Sequence, residues 1–210
     1  MRLALLSLLL IVVCSVAGAA ERKALKDVNT ETFINDTQRM LSGNDSRHLS
    51  LVWWVPREYW ASVTAKNKAI SVAQRQNMLD SLSGISLLAV VQADVTAFGN
   101  FDFYSKAEVK DGLFIEFTPE NGQAEALQPV EDIDGEVKNM LSVLKPVLAN
   151  AVGNLGSNMH FFVLTDETRN GDRLADPYAG GLWNFRQQKR DGTQLSTNYC
   201  PWSGERLPPR

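Results

Sequence analysis

Three strand-like runs crowd into residues 87–117, and the short gaps between them force neighbouring runs to lie antiparallel. They are Leu87–Ala97, Phe101–Val109 and Leu113–Phe117, with turn residues at Gly99-Asn100 and Asp111-Gly112. Side chains alternate faces along a strand, so loop length decides which residues share a side. A two-residue turn at Gly99-Asn100 pairs Phe98 with Phe101, which sets Phe101 and Phe103 beside Thr96, Asp94 and Gln92. A three-residue loop, Phe98-Gly99-Asn100, pairs Ala97 with Phe101 instead. Val91, Ala93, Val95 and Ala97 then share a face with Phe101, Phe103, Ala107 and Val109. A second loop, Lys110-Asp111-Gly112, pairs Val109 with Leu113 and adds Ile115 and Phe117. The sequence therefore predicts a meander with one apolar face. Gln92, Asp94, Asp102, Lys106, Glu108 and Glu116 fall on the other, which should be wet.

Helices are legible on both sides of this stretch. From Thr30 a stripe of Phe33, Ile34, Met40 and Leu41 predicts a helix ended by Gly43. His48–Val55 reads as a strand stopped by Pro56, with a helix starting over Arg57–Thr64. A longer helix is expected over about Lys66–Leu82, with Ala69, Val72, Ala73 and Leu79 as its stripe and Gly84 as its cap. Asp134–Val152 predicts another, capped by Asp134, closed by Gly153, and bent or split by Pro146. Met159–Leu164 has the near-continuous apolar character of a central strand. Leu182–Gln187 and Thr193–Thr197 read as a hairpin around Lys189–Gly192.

An apolar sheet face needs a layer to cover it, and this order of elements supplies helices. The fold class is α+β: a two-layer, mainly antiparallel sheet with a β-α-β-β-β-α-β core and helices on one face. An N-terminal helix and an irregular C-terminal tail complete it. The expected organisation is a signal peptide over 1–20, a leader and first helix over 21–47, and a core domain over 48–165. Residues 166–210 form a polar loop, hairpin and tail packed on that core.

Met1–Ala20 has the pattern of a secretory signal. Arg2 is its only charge, an apolar run follows from Leu3 to Val16, and Ala17-Gly18-Ala19-Ala20 offers a cleavage site. The run is too short for a transmembrane span, so no transmembrane helix is expected in the mature chain. Cys14 as a lipid attachment point is the competing reading, disfavoured by the bulky Val13 before it. Localisation is thus expected to be periplasmic or extracellular. The segment carries one base and no acid, so its removal moves the net charge from −3 to −4. A mildly acidic chain without a block of like charge has no footprint for nucleic acid. Cys200 is then the only cysteine, which excludes an intramolecular disulfide.

No motif carries a reaction. Cys200-Pro201-Trp202-Ser203-Gly204 has the letters of a monothiol redox motif but lacks the helix that would stabilise a thiolate. It also supplies one zinc ligand where four are needed. Cys200 stands as the reactive-thiol candidate, with His48 and His160 as the chain's two histidines. Both histidines lie in predicted strands and read as structural. Glu131–Glu136 lacks calcium-loop spacing and reads as a helix N-terminus. Asp166, Glu167, Asp172 and Asp176 read as solvated loop acids. The sequence names no catalytic set, no metal ligands and no cofactor.

The remaining candidates are aromatic. Trp53, Trp54 and Trp60 cluster about Pro56, with Trp183 and Trp202 nearer the tail. Adjacent strand residues face opposite ways, so Trp53 and Trp54 cannot share one core. Large rings in this setting are either core or an aromatic platform for a sugar or peptide. The function expected is a secreted or periplasmic non-enzymatic domain that binds another envelope component (a protein, glycan or peptide) or a small ligand, through this aromatic region or the tail. The alternative is a secreted hydrolase using carboxylates or a Cys200-centred site.

Overall fold

The structure, a computed structural model, describes residues 24–41, 46–119, 122–167, 173–175 and 181–199. The signal segment, Gly43, Asp172, Asp176, Cys200 and Trp202 lie outside these residues. The chain is mixed α+β with two antiparallel sheets. The first contains β1 (Gln38–Met40), β2 (His48–Val55), β3 (Ile85–Val95), β4 (Phe101–Phe103) and β7 (His160–Thr165). The second runs in the order β6 (Glu125–Leu127), β5 (Leu113–Pro119), β8 (Gly181–Gln188), β9 (Gln194–Tyr199). The helices are α1 (Thr30–Thr37), α2 (Arg57–Lys66), α3 (Val72–Ser81), α4 (Lys106–Gly112) and α5 (Gly135–Ala151). No helix among the described residues is long and apolar enough to cross a membrane.

Strand alternation divides the first sheet between two cores. Leu51, Trp53, Val55, Ala89, Val91, Phe161 and Val163 face the helices, packing with Phe33, Tyr59, Trp60, Leu141, Leu144 and Leu148. Val52, Trp54, Leu88, Val90, Phe162 and Leu164 face the second sheet, meeting Ile115, Phe117, Leu127, Trp183 and Phe185. The helix layer expected on one face of the sheet is present, and the opposite face carries a second sheet.

That second sheet corrects the meander. The first loop has the expected three residues, but they are Ala97-Phe98-Gly99, closed by the Thr96 N–H donating to Asn100 at 2.8 Å. Gly99 has φ +80° and takes the left-handed position, which costs glycine less than asparagine. Phe101 therefore pairs with Val95 rather than Ala97. This slip of two residues preserves the facing. The expected strand to Val109 stops at Phe103, because Ser105 and Glu108 form a capping box that starts α4. Its signature, Ser-x-x-Glu, stands in the sequence, and a short alternating pattern hid it. β5 then pairs with β8 rather than β4. Gln92, expected to be wet, is buried because the second sheet covers it.

Other elements differ less. The first helix ends at Thr37, and Gln38–Met40 pair with β2 instead of continuing it, so Met40 and Leu41 are not helical. The 66–82 helix begins only at Val72, where Ser71 and Gln74 form a second capping box. No residue of α3 is fully buried, and Val72 is exposed. Among the described strands β7 pairs with β3 alone, its outer side touched by a bridge from Pro129 to Leu164, so it lies at the edge rather than the centre. Pro146 sits inside α5 without splitting it, and Asp134 caps that helix as expected. The β8–β9 hairpin forms where expected, its turn closed by Gly192 at φ +85°.

Candidate functional site

The four described tryptophans, Trp53, Trp54, Trp60 and Trp183, are packed in the interior. Trp53 and Trp54 are both 0 % exposed, on opposite faces of β2 as alternation demands. Trp53 lies 5.6 Å from Tyr59 and donates its indole N–H to Thr37 Oγ1 at 3.1 Å. Trp60 is 5.0 Å from Tyr59 in the same core. Trp54 meets Trp183 across the sheets at 5.3 Å, and Trp183 lies 4.8 Å from Phe117. No ring of these four presents a face to solvent.

The outward aromatics are phenylalanines that extend from the first sheet. β3 and β4 form an arm whose tip carries Phe98, 92 % exposed. Phe101 is exposed, Phe103 half-buried, and their rings lie 5.7 Å apart. Register puts both on the helix side of the sheet, in line with Leu49 and with Met40, which is also exposed. The arm thus continues the apolar face beyond the helices that cover the rest of it.

Its opposite face is charged and braced. Arg190, on the β8–β9 turn, reaches Asp102 Oδ2 at 2.7 Å and Glu108 Oε1 at 2.8 Å. Its guanidinium lies 4.1 Å over the Tyr104 ring, and its backbone N–H donates to Tyr104 Oη at 2.9 Å. The Arg190 hydrogen bond, with further bonds from Ser105, holds the Glu108 carboxyl down at about 2. Burial raises Tyr104 above the ordinary phenol range, so its hydroxyl stays protonated. Beside this brace is a cleft of about 260 Å³, lined by Arg47, Asp94, Val95, Lys189, Arg190 and Asp191.

A polar chain runs from the cleft into the inter-sheet core. His48 Nδ1 lies 2.7 Å from Asp94 Oδ1, and His48 Nε2 lies 3.3 Å from Gln92 Nε2. A carboxylate only accepts and an amide nitrogen only donates, so the network assigns a neutral imidazole protonated at Nδ1. Gln92 Nε2 also donates to Gln188 O at 3.1 Å. Gln187 Nε2 donates to Gln92 Oε1 at 3.1 Å, and Ser50 Oγ donates to Gln187 Oε1. Ser50, His48 and Asp94 carry the letters of a nucleophile triad. The geometry is otherwise, because Gln92 and Gln187 stand between Ser50 and His48, and both imidazole nitrogens are occupied. The chain ties β2 and β3 to β8 and satisfies polar groups that stacking the sheets would strand. His160 is structural in the same sense, with its Nε2 2.7 Å from the Tyr104 carbonyl.

A second buried cluster has no local signature in the sequence. Asp166, expected to be a solvated loop acid, is 2 % exposed. Its Oδ2 receives Arg173 Nε at 3.0 Å, and its Oδ1 receives the Ala175 N–H at 2.8 Å. Arg173 also grips Glu58 of α2 with both terminal nitrogens, the Nη2–Oε2 contact being 2.8 Å. Glu58 and Arg173 stand 115 residues apart, and nothing local marks them as partners. No family model, no curated protein and no solved structure matches this chain.

Proposed function

We propose that this chain is exported through Met1–Ala20 and acts as a non-enzymatic domain that binds another envelope component, with the β3–β4 arm as its contact surface. The observation that carries the reading is Phe98, a large apolar side chain held in water on a short, braced turn. Burying a phenylalanine is worth about 1.5–3 kcal/mol, and the fold forgoes that gain at Phe98. Neighbouring exposed apolar residues on one surface mark interaction sites. A rigid projecting ring suits an apolar pocket on a protein partner, where an aromatic anchor concentrates binding energy.

The test uses a photo-crosslinking side chain at position 98 in the producing cell, with the same group at exposed Val72 on α3 as reference. An adduct at 98 and none at 72 is expected. Phe98→Ser should abolish binding of the captured partner and change unfolding by no more than about 0.5 kcal/mol, as for other surface positions. Equal labelling at both positions, or none, sinks the arm as the contact surface. Fractionation followed by N-terminal sequencing tests export separately. A mature chain beginning at Glu21 is expected, and an uncut chain retained in the cytoplasm would overturn that half of the reading.

A further inference from the structure

The second sheet ends on β9, whose outer edge no described strand covers. The Lys189 N–H donates to Thr193 O at 2.8 Å and closes the turn. Hydrogen bonding alternates along an antiparallel pair, so Leu195 and Thr197 direct their backbone groups to β8. Those of Gln194, Ser196 and Asn198 point to the outer edge, and all three residues are exposed. Among the described residues no strand pairs with that edge.

Exposed edges are normally defended by lysine, proline, a bulge or brevity. The other edges here follow the rule. β1 has three residues including Arg39, β4 three including Asp102, and β6 three including Glu125. The outer side of β7 is touched by Pro129 and Val130. β9 has six residues, Gln-Leu-Ser-Thr-Asn-Tyr, with no charge and no proline.

We propose that β9 is a self-association edge, pairing antiparallel with β9 of a second copy about a two-fold axis at Ser196. That register sets Ser196 opposite its own symmetry mate and Gln194 opposite Asn198. Every outward backbone group from 194 to 198 then finds a partner, two hydrogen bonds to each residue pair. A two-fold axis brings like residues together, so a charged strand would repel itself, and β9 carries no charge to do so. On the outer face the amides of Gln194 and Asn198 meet across the seam, where such pairs add to strand association. The partner is a second copy of this chain because the edge matches itself in register, polarity and charge.

Sedimentation equilibrium of the mature chain in reducing buffer, where Cys200 cannot link chains, reads this directly. The expected mass doubles as concentration rises. Ser196→Lys places two ammonium groups at the axis and should leave a folded monomer at every concentration, with the parent's circular dichroism and the unfolding midpoint of the dilute, monomeric parent. Ser196→Glu alone should behave likewise. Mixing the two variants should restore the doubled mass, which an unfolded variant could not do. A parent chain that stays monomeric throughout overturns the proposal, as does a dimer that survives Ser196→Lys in folded protein.

Discussion

Arg173→Ala should destabilise the fold by about 3–5 kcal/mol, the usual cost of removing one partner from a buried ion pair. Arg173 links Glu58 on α2 to Asp166 at the end of β7, and both carboxylates are buried. Removing the guanidinium takes the cation from buried Asp166 and leaves Glu58 with the longer Arg57 contact at 3.8 Å. The adjoining cleft of about 120 Å³, lined in part by Arg57, Ser83 and Glu167, admits water and holds the loss toward the lower end.

The loss should also depend on pH. Burial already raises the Asp166 carboxyl above its ordinary range, against the pull of Arg173 and the Ala175 N–H. Without Arg173 it rises further. A carboxyl whose folded pKa is raised binds its proton more tightly in the folded state. Its contribution is therefore present below the ordinary range and lost as pH climbs through the folded value. Urea unfolding of Arg173→Ala should show a larger deficit at about pH 7 than at about pH 4, near the ordinary aspartate pKa. Adding Glu58→Gln and Asp166→Asn should recover most of the neutral-pH loss, since amides need no counter-charge. A deficit equal at both pH values would contradict this account.

Trp54→Ala should cost about 3–5 kcal/mol as well, by a different mechanism, the cavity left when a buried ring is deleted. Trp54 is enclosed between the sheets and contacts Trp183, which in turn stacks on Phe185 at 5.2 Å. For a domain of this size the loss corresponds to a midpoint lowered by roughly 6–20 °C. Trp54→Phe is the informative control. The Trp54 indole N–H has no partner among the described residues, so phenylalanine keeps most of the ring and removes an unpaired donor. It should cost about 1–2 kcal/mol, within the ordinary range for a single core change. A ligand platform would give the opposite pattern, with binding lost and stability kept. Calorimetry of the two variants separates these cases.

Local chemistry was legible wherever a pattern had one solution. His48–Val55 emerged as a strand with the expected bounds, Asp134 as the cap of α5, and the β8–β9 hairpin in place. Alternation alone places Trp53 and Trp54 on opposite faces, as they are. It also kept Phe101 and Phe103 on the face of Val95, although Gly99 moved the register by two. Ser105-Lys106-Ala107-Glu108 was ambiguous only because a four-residue capping box and a period of two fit the same letters.

Alternation along 87–103 therefore determined an antiparallel pairing and which residues of β3 and β4 share a face, and helical stripes determined what covers that face. The tertiary structure alone decided that the part of the opposite face around Gln92 is covered by a second sheet, while Asp102, Lys106 and Glu108 stay exposed as expected. Gln92 is polar and fits either environment, until β8 arrives from nearly a hundred residues away and supplies Gln187 as its partner. The same holds for Glu58, Asp166 and Arg173, whose charges look like solvent-facing groups one at a time. Periodicity reports how a residue stands relative to its neighbours in the chain. Which polar groups are buried together depends on which surfaces dock, and that is settled by long-range packing and the need to pair every charge it encloses.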